Sequence, residues 1–279
     1  MVEPGVLFGV GSAAAWGTGD FAGGMAARRA GGLVVTGGAQ VVGFLLLLVA
    51  VPVLRPAPPA TATIVFGVLG GVAGGLGLAA LYRGLGMGAM GLVSAVSGIG
   101  GVLIPLSVGV LLWGTSIQPL QLVGVGCALG AVAAASGATT QGVNRQALLL
   151  ALAAALGFGF WFVFLNRAAE HDQLWALVIS RGSASLFIGG AALLRTDRTA
   201  MRPVAPLIGL AGLMDIAANG MVVLSFATIP VGIAAALSGT YPLVTMLLAR
   251  IVLREALPGL GMAAVALAVV GIVLISVGG

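Results

Sequence analysis

Hydrophobic residues fall in ten long runs along this chain, and short stretches with arginine, proline or small polar residues separate the runs. Each run is close to the ~20 apolar residues that an α-helix needs to cross the hydrocarbon layer of a bilayer. The runs are continuous rather than alternating with polar residues, which favours helices over the strands of a barrel. The predicted spans are 5–26, 33–54, 62–83, 90–113, 119–138, 146–167, 174–195, 204–226, 230–253 and 258–278.

The stretches between the spans are too short to hold a further domain. Of the 279 residues, 60% are hydrophobic and 7% are charged, whereas a soluble domain carries about 25% charged residues. The mean hydropathy of +1.19 agrees with this imbalance. The sequence therefore predicts an all-α polytopic membrane protein with ten transmembrane helices.

Glycine is unusually frequent, with 47 residues against a usual share of about 7%. Several glycines recur at four-residue spacing within a span, as at Gly67, Gly71 and Gly75. Small residues at this spacing let helix backbones approach closely inside a membrane. We therefore expect a compact helix bundle.

The chain has few residues that carry catalytic or metal chemistry. Its single cysteine, Cys127, lies in an apolar run, and its single histidine, His171, lies in a polar loop. The chain therefore lacks the residues needed for a disulfide, for a metal cluster or for a serine–histidine catalytic pair. The basic residues are arginines scattered between apolar runs, a pattern that does not favour nucleic-acid binding. We expect no catalytic residue, no metal, no cofactor and no nucleic-acid partner.

Two segments recur in the same order about 140 residues later. Residues 13–19 read AAAWGTG and residues 153–159 read AAALGFG; residues 91–98 read GLVSAVSG and residues 232–239 read GIAAALSG. This self-similarity predicts two units of five spans each, 1–140 and 141–279. Because five is an odd number, the second unit would be inverted in the membrane, an arrangement typical of secondary transporters.

These segments carry a resemblance to a known family. The chain resembles the EamA-type family of the drug/metabolite transporter superfamily in AAAWGTG, in LYRGLGMGAMGLVSAVS at 81–97 and in AAALSGTYPLVTMLLARIVLRE at 234–255. In the first half, Gly114 takes the position of the family's glutamate and Gly101 that of its proline, with Pro105 one turn later. The resemblance implies transport of amino acids, other small metabolites or drugs, often outward. It also implies a central cavity surrounded by the first, third, fourth, sixth, eighth and ninth helices.

Two aspartates lie within predicted spans, where a charge costs about 2.5–3.5 kcal/mol and so needs a reason. Asp215 lies in the middle of its span, with Asn219 one turn later on the same face. Asp20 lies near the end of the first span, with Trp16 one turn earlier. Each aspartate has a functional interpretation, as a substrate contact or proton-coupling group. Each also has a structural one: a carboxylate bonded to a neighbouring helix for Asp215 and an interfacial cap for Asp20.

Two of the arginines at or inside predicted spans, Arg181 and Arg83, have candidate roles. Arg181 lies within the seventh span, and its counterpart in the first half is Gln40. This pairing predicts that Arg181 is a structural partner of a loop or a carboxylate, and the resemblance implies that its helix is peripheral. Arg83 ends the third span, where it could anchor the helix at the interface or meet an anionic substrate group.

Aromatic and hydroxyl residues complete the candidate site. Aromatic side chains in a cavity can hold apolar or ring-bearing substrates. Ser97 and Ser238 occupy equivalent positions in the two halves, and their hydroxyls could line the site or bond to the backbone one turn back. Tyr241-Pro242 removes a backbone hydrogen bond inside the ninth span and predicts a hinge. The substrate-binding candidates are Trp16, Asp20, Tyr82, Arg83, Ser97, Trp161, Asp215, Asn219, Ser238 and Tyr241.

The orientation of the bundle stays open. Ten spans put both termini on one side, and the resemblance implies that this side is the cytoplasm. Most arginines would then lie at the opposite end, whereas the positive-inside rule predicts the reverse. The arginines at that end are Arg28, Arg29, Arg83, Arg145, Arg195, Arg198, Arg202, Arg250 and Arg254.

The favoured function is a secondary transporter, with export as the favoured direction, that moves small metabolites such as amino acids or drugs across the inner (cytoplasmic) membrane by alternating access. The chain has no phosphate-binding GxxxxGK[ST] motif, and Asp20 and Asp215 raise the possibility of proton coupling. The alternatives are a flippase for a lipid or lipid-linked carrier, a non-transporting scaffold and, with least support, an intramembrane enzyme. The expected partners are a small-molecule substrate and the bilayer, and the expected state is a monomer or weak homodimer.

Overall fold

The helices of the structure follow the predicted spans closely. The structure is a computed structural model and describes residues 3–54, 56–86, 90–137, 145–195, 201–253 and 259–277. The helices in these ranges are α1 Pro4–Ala30, α2 Gly32–Leu54, α3 Thr61–Gly86, α4 Met90–Leu112, α5 Pro119–Gly137, α6 Arg145–Ala169, α7 Gln173–Ala184, α8 Gly190–Arg195, α9 Ala205–Phe226, α10 Val231–Ser238, α11 Tyr241–Leu253 and α12 Gly259–Val277. The described residues contain no strand.

Two of the predicted spans are not uniform α-helices. A π-helical turn, Ser185–Gly189, joins α7 to α8. The predicted ninth span is divided into α10 and α11, and the break lies at Gly239 and Thr240, immediately before the predicted Tyr241-Pro242 hinge. Because Pro242 has no backbone N–H, the helical hydrogen-bond ladder cannot run through this point unbroken.

Five helical segments in the described part of the chain are long and apolar enough to cross a membrane: Gly32–Leu54, Thr61–Gly84, Arg145–Ala169, Gln173–Ala192 and Arg202–Phe226. Shorter apolar helices accompany them. Large hydrophobic side chains also face outward along the bundle, such as Leu111 and Leu112 at 77% and 75% exposure. An apolar outer surface suits lipid tails, and the structure thus agrees with a multi-pass membrane protein.

Glycines bring the helix backbones together, as their spacing predicts. A Cβ at Gly157 of α6 would lie 2.6 Å from Cα of Gly77 on α3, and a Cβ at Gly124 of α5 would lie 2.8 Å from the backbone oxygen of Gly271 on α12. Gly71 faces α7, where an added Cβ would overlap the backbone oxygen of Ser180. Such contacts let α3 pack tightly against both α6 and α7, and this places the interior faces of these helices around a common space.

Candidate functional site

A small cavity lies in the bundle interior, between α1, α2, α3, α4, α6, α7, α9 and the break between α10 and α11. Its volume is about 70 Å³, which holds only a few water molecules. Its polar lining residues are Asp20, Gln40, Ser97, Ser180, Arg181, Asp215 and Asn219. Its aromatic lining residues are Trp16, Phe158, Trp161, Phe162 and Tyr241. A substrate larger than a few waters therefore needs the cavity to open further.

An ion pair joins α7 to α9 at the cavity wall. The Nη1 atom of Arg181 lies 2.6 Å from Oδ2 of Asp215, and the side chains are 5% and 17% exposed. The same Nη1 donates a hydrogen bond to Oε1 of Gln40 on α2. A buried pair is stabilised when further hydrogen bonds satisfy its polar atoms. The predicted carboxylate partner of Arg181 is thus confirmed, and it is Asp215.

Trp16 of α1 holds the other side of Asp215. Its indole Nε1–H lies 2.9 Å from Oδ1 of Asp215 and 3.1 Å from Oδ1 of Asn219. Both carboxylate oxygens of Asp215 are therefore engaged, one by Arg181 and the other by Trp16. Asp215 is bonded to neighbouring helices, as its structural interpretation predicts, and it also faces the cavity.

Asp20 has a different environment. It lines the same cavity, and its Oδ1 accepts a long hydrogen bond of 3.4 Å from the Tyr82 hydroxyl on α3. Within the described ranges, Asp20 takes part in no ion pair. Among the described residues, the cavity thus contains one carboxylate with a cationic partner and one without.

Aromatic rings form a second wall of the cavity. The ring of Trp16 meets Trp161, Phe162 and Tyr241 at centroid distances of 5.5, 5.8 and 6.2 Å, each in an edge-to-face arrangement. The structure brings together three aromatic candidates that the sequence predicts. Phe162 was not among those candidates, because nothing in the run FGFWFVF distinguishes its phenylalanines from core residues.

The two predicted serines occupy different places. Ser97 lines the cavity, and its Oγ lies 3.4 Å from the Tyr241 hydroxyl. Ser238 instead accepts a hydrogen bond of 2.6 Å from Ser12 and lies 3.5 Å from the Gly9 carbonyl oxygen, both on α1. Ser238 therefore joins α10 to α1 rather than bonding its own helix.

Tyr82 and Arg83 at the end of α3 lie apart from the cavity lining. Tyr82 is buried behind Asp20 and reaches the site through its hydroxyl. The Arg83 side chain is exposed. Seven of the ten candidates thus line the cavity. The other three are Tyr82, Arg83 and Ser238, and Ser238 lies in a helix interface.

Gln40 and Arg181 are two further site residues that the candidate set missed. The resemblance implied a peripheral seventh helix, but Ser180, Arg181 and Ala184 of α7 line the cavity. Gly71 of α3 allows α7 to approach this closely. The sequence signal for this pair is that Gln40 and Arg181 are polar residues at equivalent positions of the two halves, 141 residues apart.

The described residues contain no group of three or more histidine, cysteine or acidic side chains that could hold a metal ion. The site offers charged groups, aromatic surface and hydrogen-bonding groups.

Comparisons with known proteins agree with this architecture. The sequence profile of the EamA-like transporter family, part of the drug/metabolite transporter superfamily, matches residues 145–277. A solved crystal structure of a protein aligns with the chain at a TM-score of 0.78 and 18% sequence identity, and the alignment covers 99% of this chain and 98% of that chain. At this identity, the likeness shows a shared fold. No curated protein matches the sequence.

Proposed function

We propose that this chain is a secondary transporter that exports small metabolites, such as amino acids or drugs, across the inner (cytoplasmic) membrane, because the EamA-like transporter family profile matches its residues 145–277. The observation that carries the proposal is the interior cavity, where charged residues and aromatic rings face one space. Ionisable groups inside a membrane bundle mark substrate or ion pathways. The family is one of transporters and not of enzymes.

The proposed architecture has ten spans in two inverted five-helix units, 1–140 and 141–279. Three observations support it: the recurring segments of the sequence, the family match over 145–277, and the hydrogen bond between Gln40 and Arg181, which are 141 residues apart. Inverted units place a substrate site where they meet, near the bilayer midplane, and allow alternating access by a rocking motion.

The small cavity and the broken α10–α11 segment support alternating access. A cavity of about 70 Å³ has no room for a substrate larger than a few water molecules, so the helices around it must move to admit one. The lining residue Gly239 lies in the break and the lining residue Tyr241 directly follows it, so a change of angle there would alter the cavity. Proton coupling at Asp20 or Asp215 is the proposed source of drive, because both carboxylates face the cavity.

Flux measurements test the transport function. Purified protein in liposomes is expected to give saturable flux of one or more metabolites in a screen of amino acids, sugars and drugs, and protein-free liposomes serve as the control. Flux of lipid or lipid-linked carrier alone would favour the flippase alternative. No saturable flux, together with no ligand that raises the melting temperature, would favour the scaffold alternative.

Coupling has its own test. Neutralising Asp20 and Asp215 together is expected to remove the pH dependence of flux, while Glu170→Gln, in the exposed Arg167–Glu170 pair at the end of α6, is expected to keep it. Unchanged flux and pH dependence in the double variant would refute proton coupling.

A further inference from the structure

Among the described residues that line the cavity, negative charges outnumber positive ones. Its charged lining residues in the described ranges are Asp20, Arg181 and Asp215. Arg181 and Asp215 are 2.6 Å apart and neutralise each other. Asp20 therefore leaves one negative charge in excess whenever all three groups are ionised.

Arg181 forms no ion pair with Asp20. Its Nη1 bonds to Asp215 and Gln40, and the group that donates a hydrogen bond to Asp20 is a hydroxyl. Tyr82 of α3 donates to it, and Tyr241 of α11 lines the same cavity. A carboxylate in an apolar interior is costly without a counter-charge, and among the described residues none pairs with Asp20, so this carboxylate favours a proton or a bound cation.

The aromatic wall is suited to an organic cation. Trp16 lies one turn from Asp20 on α1, and Trp161, Phe162 and Tyr241 surround its ring. Aromatic faces attract cations, and the attraction grows when water is excluded. A carboxylate beside such rings therefore recognises a positive group on an apolar or aromatic body. A zwitterion brings no net charge and leaves Asp20 unbalanced, and an anion adds to the excess.

We propose that the cargo of this protein is a monovalent organic cation with an apolar or aromatic body, bound with its positive charge at Asp20. The inference rests on the proposed transport function and narrows its substrate class. A proton and the cargo occupy Asp20 in turn, so the cavity contains a balanced charge in both states. Asp215 is held by Arg181 and sets the local charge instead of exchanging the proton.

Three probes with one ring and one two-carbon arm test the proposal. Phenethyltrimethylammonium is a permanent cation, phenylalanine is a zwitterion, and 3-phenylpropionate is an anion. With purified protein in lipid nanodiscs, calorimetry is expected to show that the cation binds at least about tenfold more tightly than either other probe. Because protons compete with the cation for Asp20, the affinity for the cation should be lower at a pH where this carboxylate is protonated than at a pH where it is ionised.

Variants test the charge count. Asp20→Asn leaves the cavity with no excess charge and is expected to remove both the preference for the cation and its pH dependence. Glu170→Gln is the control, because this carboxylate pairs with Arg167 away from the cavity. Asp215→Asn also brings the summed charge of the three positions to zero. Arg181→Met combined with Asp215→Asn leaves Asp20 as the one charge, which restores the negative excess and is expected to restore the preference for the cation. Melting curves establish that each variant is folded.

Equal or absent binding of the three probes would overturn the proposal. A preference for the cation that persists in folded Asp20→Asn would do the same. Tighter binding and saturable flux of phenylalanine would refute a cationic cargo but leave the transport function standing. Failure of the transport function itself would appear as the absence of flux for every solute screened.

Discussion

The guanidinium of Arg181 lies 2.6 Å from the carboxylate of Asp215, and both side chains are largely buried. Removing one partner leaves an uncompensated buried charge, which costs about 3 kcal/mol or more. Arg181→Met is therefore expected to lower the free energy of unfolding by about this amount, and the double variant with Asp215→Asn is expected to lose clearly less. Denaturant unfolding in detergent measures both. Equal losses in the single and double variants would show that the pair does not act as one unit.

The close approach of α3 and α6 predicts a steric effect. A Cβ at Gly157 would lie 2.6 Å from Cα of Gly77 and 2.7 Å from the backbone oxygen of Ala73. Gly157→Ala is expected to lower stability by about 1–3 kcal/mol, because the backbones must separate. Gly220→Ala on α9 is the matched control, since an added Cβ there meets nothing within 4 Å. Similar melting temperatures for both variants would contradict this packing.

Two buried threonines differ in their hydrogen bonding. Thr36 Oγ1 on α2 has no hydrogen-bond partner among the described residues, whereas Thr63 Oγ1 on α3 donates to the Ala168 carbonyl at 3.2 Å. Replacing an unsatisfied hydroxyl by a methyl removes a desolvation cost, but replacing a bonded one loses about 1 kcal/mol. We expect Thr36→Val to raise the melting temperature and Thr63→Val to lower it. A similar fall in both would mean that Thr36 binds a partner such as water.

Sequence patterns were sufficient for the helices and for part of the site. Continuous apolar runs located the helical segments, because both lipid and a packed interior require apolar side chains. The free-energy cost of a charge inside a membrane identified Asp20 and Asp215 as candidates. Arg181 was expected at the periphery, since only the packing of Gly71 against Ser180 reveals that α7 reaches the cavity. The direction of the Ser238 hydroxyl toward α1 likewise depends on a neighbour 226 residues away.

The two ends of the bundle differ in charge, and a reporter fusion decides the orientation. Arginines collect near the end where α1 finishes, as at Arg28, Arg29 and Arg83. On the family resemblance we expect the C-terminus in the cytoplasm, so a C-terminal green fluorescent protein should fluoresce. An alkaline phosphatase fusion active at the same position would place it outside. It would show that the arginine distribution determines the insertion.

The break between α10 and α11 separates a wholly buried helix from one whose far end is exposed. Every residue of α10 from Val231 to Ser238 is buried, whereas Ile251 and Val252 near the far end of α11 are 72% and 56% exposed. A continuous helix would transmit any rotation into the core. With a break at this point, α11 can tilt about the cavity wall while α10 stays in place. A small displacement of the outer end of α11 would then change the orientation of Tyr241.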